Sequence, residues 1–474
     1  MACASSSLPL DCLISIFSFL SEEDLITASV VCKEWHEAAE TQWLWRELCL
    51  HRWGFCNLGQ LLSDTDQYTW KRYFLRRSKL EQSMKSGRSG GDYTCKSLRG
   101  HKGRLVGFSY LVGNSSVQDS WKCAPVVCSG SSDGTVKAWD IHKGVNLWSS
   151  TGQNPLTAMF TDPQQCLVGA SDNAGTIKLW KGQTGEELAS YSSGSSQCTL
   201  LPFSKDGNSF LMVGTAVGSL ITLSSPLLSE VLRFMVCDSF KLNVLVSSPD
   251  AKWILAASNE NSDLSPMVVW SESACSPVAG EKVVSMNLPV CGCSAAVFLP
   301  SQPSRLAVIH SEGLHSQRSL TVFDLSLKKS LYKEELLAQQ VESFQLELNH
   351  WHSNLILKAK GSGTILLTDG NDLKVYTLKG ALIASFKDHT QPIISLCVDN
   401  FRVVTASRDL SLRVLTWKND RDTGLTLESQ YHLLGGSHSM SRGFTQVACD
   451  YASIVASVES VDGKDALKAY IFNS

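Results

Sequence analysis

Two ten-residue stretches constrain this chain more than any other feature: Ser131-Ser132-Asp133-Gly134-Thr135-Val136-Lys137-Ala138-Trp139-Asp140 and Ser171-Asp172-Asn173-Ala174-Gly175-Thr176-Ile177-Lys178-Leu179-Trp180, whose tryptophans lie 41 residues apart. Each reads as a turn feeding a strand. Asp133-Gly134 suits a tight hairpin because glycine tolerates positive φ, and beyond it Thr135, Lys137 and Trp139 take one face while Val136 and Ala138 take the other. A period of that length matches one four-stranded sheet. Degraded copies follow at 214–223, 266–270, 319–324, 371–376, 407–414 and 465–472, which makes eight strand endings. Eight short sheets set in a ring bury faces that none could bury alone. The copies around 225–330 depart furthest from the pattern, so a ring of seven with one long insertion is the alternative count.

Ahead of this all-β region, residues 8–52 have a helical period. Pro9 suits an early helical position, where its missing N–H costs nothing, and Leu10, Leu13, Ile14, Phe17 and Leu20 recur at the spacing of one apolar stripe. Ser21 with Asp24 three residues on is a capping pair for a second helix carrying Leu25, Ala28 and Val31. Trp35, Trp43, Leu44, Trp45 and Leu48 supply further apolar surface. Helices this short must pack on each other or on a partner to persist. Residues 53–91 join the two regions, as a helix over 67–84 and a flexible Gly/Ser joint over 86–91. Residues 8–50 hold eight acids and two bases, whereas 67–88 hold seven bases and one acid; a solvated helix is the plain reading of the basic run, with nuclear import or an acidic partner as alternatives.

Charge and composition exclude several functions. The chain of 474 residues carries 42 Lys+Arg against 45 Asp+Glu, too even for a nucleic-acid binder held by phosphate attraction. No run of 18 apolar residues offers a membrane span. The 16 cysteines are scattered, and the opening Met1-Ala2-Cys3-Ala4-Ser5 has no basic stretch before an apolar one, so a reducing cytoplasm and/or nucleus is expected. Cys291-Gly292-Cys293 has no second pair at zinc spacing, so no metal or other cofactor is expected. Val112-Gly113-Asn114 and Lys360-Gly361-Ser362-Gly363-Thr364 lack the phosphate-loop spacing and read as turns; His101, His310 and His389 lie far apart, and no catalytic constellation emerges.

Asp133-Gly134 through Trp139-Asp140 is similar to the WD-repeat signature, and His101 and His389, each ahead of a strand pattern, resemble its histidine. The resemblance implies a β-propeller over 92–474 in which a histidine, a strand Ser or Thr, the turn Asp and the Trp form a hydrogen-bonded chain. The first repeat offers His101, Ser129 or Ser131, Asp133 and Trp139; the seventh offers His389, Thr405 or Ser407 and Asp409, with Val414 where the Trp would stand. The resemblance also implies closure of the ring by pairing 93–98 with the last repeat, whose strand over 466–471 ends close to the C-terminus.

Residues 8–50 resemble an F-box through Leu8-Pro9-Leu10-Asp11, Leu13, Ile16-Phe17, Phe19-Leu20, Asp24-Leu25, Ala28, Val31-Cys32, Lys33-Glu34-Trp35 and Trp43-Leu44-Trp45-Arg46. What this implies is a non-catalytic adaptor. The helical segment would dock to the Skp-type linker of a cullin–RING ubiquitin ligase through Leu8, Pro9, Leu10, Ile16, Leu20 and Trp35, while the ring holds a client protein. Close relatives with this combination grip a phosphorylated peptide through an arginine at the place of Arg408, which makes Arg408 the candidate rim contact, with pairing to a neighbouring carboxylate as the alternative. Ser132, Gly218 and Ile394 stand where further bases would help such a site. The other functions weighed are a scaffold without ligase activity and a receptor for the second class of cullin adaptor, whose Trp-Asp-x-Arg pattern is absent from Trp139-Asp140-Ile141-His142.

Overall fold

The computed structural model describes residues 8–53, 69–111, 125–277, 282–312, 317–329, 334–348, 355–420, 424–436 and 440–473. It divides into two compact units, essentially residues 1–94 and 95–471. Val112-Gly113-Asn114 lies outside the described residues.

The first unit is helical: α1 Leu10–Phe17, α2 Glu22–Ala28, α3 Lys33–Ala39, α4 Gln42–Trp53 and α5 Trp70–Ser86. Pro9 sits just ahead of α1, and Ser21 caps α2 by accepting from the Asp24 amide at 3.2 Å while its hydroxyl donates to the Asp24 carboxylate at 2.7 Å. Leu13, Phe17, Leu25, Ala28, Ala38, Ala39, Leu44 and Trp45 form the small core, and the Trp45 indole N–H is satisfied by the Ala39 carbonyl at 2.7 Å. Val31 falls beyond the end of α2 and is exposed.

The basic segment is solvated on one face only, where Arg72, Lys79 and Lys85 are exposed. On α5, Phe74 packs 5.6 Å from the Trp45 ring and 5.0 Å from Trp53, and Arg77 stacks 4.4 Å over Trp53. Glu81 accepts from the Trp53 indole at 2.6 Å and from Arg52 at 3.3 Å, and Lys71 pairs with Glu40. One ion pair, Lys71 with Glu40, thus joins the basic segment to the acidic one, and Tyr73, Phe74, Leu80 and Met84 are buried.

The second unit is eight four-stranded sheets, so the alternative count of seven is set aside. Blades one to seven span 105–149, 156–192, 199–235, 244–287, 291–345, 357–386 and 393–434, each an up-and-down meander. The eighth combines the strands Ser441–Cys449, Ser453–Ser460 and Ala466–Phe472 with Tyr93–Leu98, which bonds to Ala466–Phe472. Blade four looks degraded in sequence because its third strand, Met267–Trp270, is short and runs into a helix, α6 Ser271–Cys275. Blade five looks so because Gln317–Lys329 and Glu334–Gln345 form a long hairpin.

The core is a series of apolar layers between neighbouring sheets. Alternation assigns residues to them. Trp139 joins Leu98, Phe108, Val455, Leu467 and Ile471 between blades eight and one, whereas Val136 and Ala138 join Leu156, Val168 and Ala170 between blades one and two. The turn ahead of them needs its glycine: Gly134 has φ 81°, and a Cβ there would lie 2.0 Å from the Gln153 carbonyl oxygen. Lys360 to Thr364 is a hairpin turn within blade six, as its sequence suggested.

Polar contacts reinforce the closing seam. Asp465 accepts from the Leu105 amide at 2.9 Å, the Gln446 amide group both donates to and accepts from the Phe108 backbone at 3.1 Å, and buried Arg402 donates to the carbonyls of Asp450 and Ser453 at 2.7 and 3.2 Å. These join blade eight to blade one on one side and to blade seven on the other.

Candidate functional site

The hydrogen-bonded chain in blade one resolves the choice between Ser129 and Ser131 in favour of Ser129. The Trp139 indole donates to Ser129 Oγ at 2.8 Å, Ser129 Oγ meets His101 Nε2 at 2.8 Å, and His101 Nδ1 meets Asp133 Oδ2 at 3.2 Å. With a neutral ring, every proton in this chain has an acceptor. Ser131 instead accepts from the Asp133 amide at 3.2 Å and so shapes the turn. Blade seven repeats the arrangement with Thr405, at 2.7 Å from His389 Nε2, and Asp409, at 2.9 Å from Nδ1. Val414 leaves it without the indole donor and packs in the core. His310 is buried against Thr321.

The same surroundings set the electrostatics of these residues. Burial pushes His101 and His389 below the ordinary imidazole value, against the opposing pull of Asp133 and Asp409. Burial would raise the two aspartates, but hydrogen bonds from Thr135 and the Lys102 amide to Asp133, and from Ser411, His389 and the Thr390 amide to Asp409, hold them below the usual carboxylate range. The unfolded chain therefore binds more protons than the folded one as pH falls through about 6.5, and stability from the histidines is complete above that pH and lost below it. The midpoint of thermal unfolding should drop between about pH 7.5 and 5.5, and a His101→Asn/His389→Asn variant should show a smaller drop. A midpoint that rises on acidification would contradict this.

The buried thiols differ: the hydrogen bond with Cys449 holds Cys397 below the ordinary thiol value, whereas burial pushes Cys449 up. Burial raises Cys128, Cys275 and Cys293 to about 12, which keeps them protonated. Cys291 and Cys293 take different environments, exposed and buried, and among the described residues no group of three or more His, Cys, Asp or Glu could hold a metal ion. A cavity of about 450 Å³, lined by Leu201, Phe203, Leu245, Val246, Val297 and Phe298 from blades three to five, is mostly apolar. No described helix is long and apolar enough to cross a membrane.

Two surfaces remain. On the helical unit, Leu8, Pro9, Leu10, Ile16 and Trp35 are exposed and Leu20 is half-buried, with Trp35 packed edge-on to Phe17 at 5.4 Å. Leu8 is 54% exposed, Ile16 50%, Phe19 90% and Val30 81%, an apolar group that the small core beneath it does not use. Phe19 was legible as part of the F-box resemblance, but its outward direction was not, and Val30 was not singled out at all. On the ring, Arg408 stands at the turn before Asp409, half-exposed, with Nη1 3.3 Å from Glu459 Oε2. Arg104 and Arg442 reach the same carboxylate, a convergence the sequence pattern did not reveal. Ser132, by contrast, is spent on the Arg104 backbone: its Oγ accepts from the Arg104 amide at 2.9 Å.

Comparison with known proteins agrees with both halves. An F-box-like family model matches residues 5–51. The human F-box/WD repeat-containing protein 12 is 30% identical over 468 residues, covering 97% of each chain, and the mouse F-box/WD repeat-containing protein 15 is 25% identical over 465 residues with the same coverage. Among solved structures, the computationally designed Ika8 protein aligns with a TM-score of 0.55 at 20% identity, over 80% of this chain and 99% of its own, a likeness of fold alone. With a helical F-box-like unit, eight WD-type blades and a full-length relative of this similarity, the chain belongs to the F-box/WD-repeat family.

Proposed function

We propose that this protein is the substrate receptor of a Skp–cullin–F-box ubiquitin ligase, with Leu8, Pro9, Leu10, Ile16, Leu20 and Trp35 docking the Skp-type linker and the propeller rim, including Arg408, holding the client. Family membership supports the coarser role, a non-catalytic substrate adaptor of a cullin–RING ligase. The observation that carries the finer reading is the exposed apolar group on the helical unit, because a chain that stabilised this unit for itself alone would not leave Leu8, Ile16 and Phe19 in water. Ubiquitin transfer would then proceed by proximity, a rigid receptor holding a client lysine near the charged enzyme.

Free thiols such as Cys128 and Cys293 suit the reducing cytoplasm and/or nucleus. The test is reconstitution: full chain, Skp-type linker, cullin–RING module and charged conjugating enzyme should ubiquitinate a protein captured by the ring, only when the chain is present. Linker binding without any transfer to captured proteins would favour the scaffold role instead.

A further inference from the structure

Where blades seven, eight and one meet, three guanidiniums surround one carboxylate. Arg408 Nη1 lies 3.3 Å from Glu459 Oε2, while Arg104 Nη2 and Arg442 Nη1 each lie 3.7 Å from Oε1. The glutamate side chain is 10% exposed, but those of Arg104, Arg408 and Arg442 are 60%, 48% and 50% exposed. A sunken anion thus holds three heads that stand half in water.

The backbones beneath those heads are fixed. The Arg104 carbonyl accepts from the Ser132 amide at 2.8 Å while the Arg104 amide donates to Ser132 Oγ. Gly443, beside Arg442, has φ 141° and approaches Arg408 so closely that a Cβ would lie 2.5 Å from the Arg408 Cα. Good charge-assisted hydrogen bonds to carboxylates run to about 2.7–2.9 Å, so contacts of 3.3–3.7 Å leave the guanidinium forks underused. The neighbouring Asp465 lies in the field of Arg104 and Glu459, but the hydrogen bonds its oxygens accept come from the Leu105 and Ser460 amides.

We propose, resting on the adaptor role above, that this patch docks an acidic peptide segment of the client, with successive Asp or Glu carboxylates pairing to the outer sides of Arg104, Arg408 and Arg442. Glu459 is the positioning counter-ion that gathers the three heads in the free protein. Charge complementarity selects the occupant, and its distribution selects carboxylates over phosphate. A phosphate concentrates roughly two charges at one point. The point of convergence is already held by Glu459, which would repel it. Planar monoanions spread along an extended chain instead meet each fork separately.

Fluorescence anisotropy of the full chain with three labelled peptides tests this: one rich in glutamate, one with serines in their place, and one with a single phosphoserine and no other acid. The glutamate peptide should bind best, with affinity falling as salt rises. Arg104→Ala/Arg442→Ala should weaken it by about tenfold, as expected for losing charge-assisted contacts, at an unchanged unfolding midpoint. Glu459→Gln should tighten it several-fold; weaker binding by a folded Glu459→Gln chain would overturn the role given to Glu459. Equal binding of glutamate and serine peptides, no loss in the double arginine variant, or preference for phosphoserine would each overturn the proposal. Linker binding measured on the same samples separates the two claims: linker without peptide binding defeats only the rim assignment, and peptide without linker binding defeats only the adaptor role.

Discussion

A chain ending at Asp462, lacking the last dozen residues, will not accumulate as soluble folded protein. The truncation removes the strand Ala466–Phe472, which pairs with Ser453–Ser460 from Val458↔Ala466 to Ser453↔Ile471 and is the neighbour to which Tyr93–Leu98 bonds. It also removes Leu467, Ala469, Tyr470 and Ile471 from the layers around blade eight, and Asp465 from the Leu105 amide. Each large buried apolar side chain contributes about 1.5–3 kcal/mol, and the net stability of a domain is only about 5–15 kcal/mol, so the loss is comparable to the whole. Two sheet edges would be opened at once, which invites aggregation as well as unfolding. Soluble yield and the thermal midpoint read the result, and a truncated chain that melts like the full one would show that the ring does not close through this strand.

The second large effect falls on the helical unit and leaves the fold intact. Leu8→Ala/Pro9→Ala should weaken capture of the Skp-type linker by at least about thirtyfold, the equivalent of losing one central interface anchor of about 2 kcal/mol. The unfolding midpoint should not move, because both side chains are exposed. Leu13→Ala provides the contrast. Leu13 is buried in the core of the unit, where truncation costs about 2–5 kcal/mol, so this variant should lose linker binding together with helical structure. Undiminished capture by the Leu8/Pro9 variant would place the linker surface elsewhere.

Much of this architecture was legible because its signals are local. Glycine at a tight turn, alternation from Thr135 to Trp139 and the offset between Ser21 and Asp24 are each decided within a few residues, and each stands where the pattern put it. Six candidate linker contacts could be named from a resemblance, yet only coordinates show that Leu10, which falls on the same apolar stripe as buried Leu13 and Phe17, is exposed. The basic helix keeps Arg72, Lys79 and Lys85 exposed, as a solvated helix would, but its packing was not legible because its partners, Trp45 and Trp53, lie on another helix and become visible only once α4 and α5 pack. Arg408 could be picked out beside its turn, but not the convergence with Arg104, Arg442 and Glu459. That convergence exists only after the ring closes and brings the two ends of the blade sequence together.

The division of labour between helical plug and strand ring is tested most directly by purifying the full chain and its Leu8→Ala/Pro9→Ala variant from cells with the proteasome blocked, and quantifying what each retains. The wild type should carry linker, cullin and a set of clients; the variant should keep the clients and lose the linker and cullin. Retention of linker and cullin by both, or loss of clients together with the linker, would contradict the account.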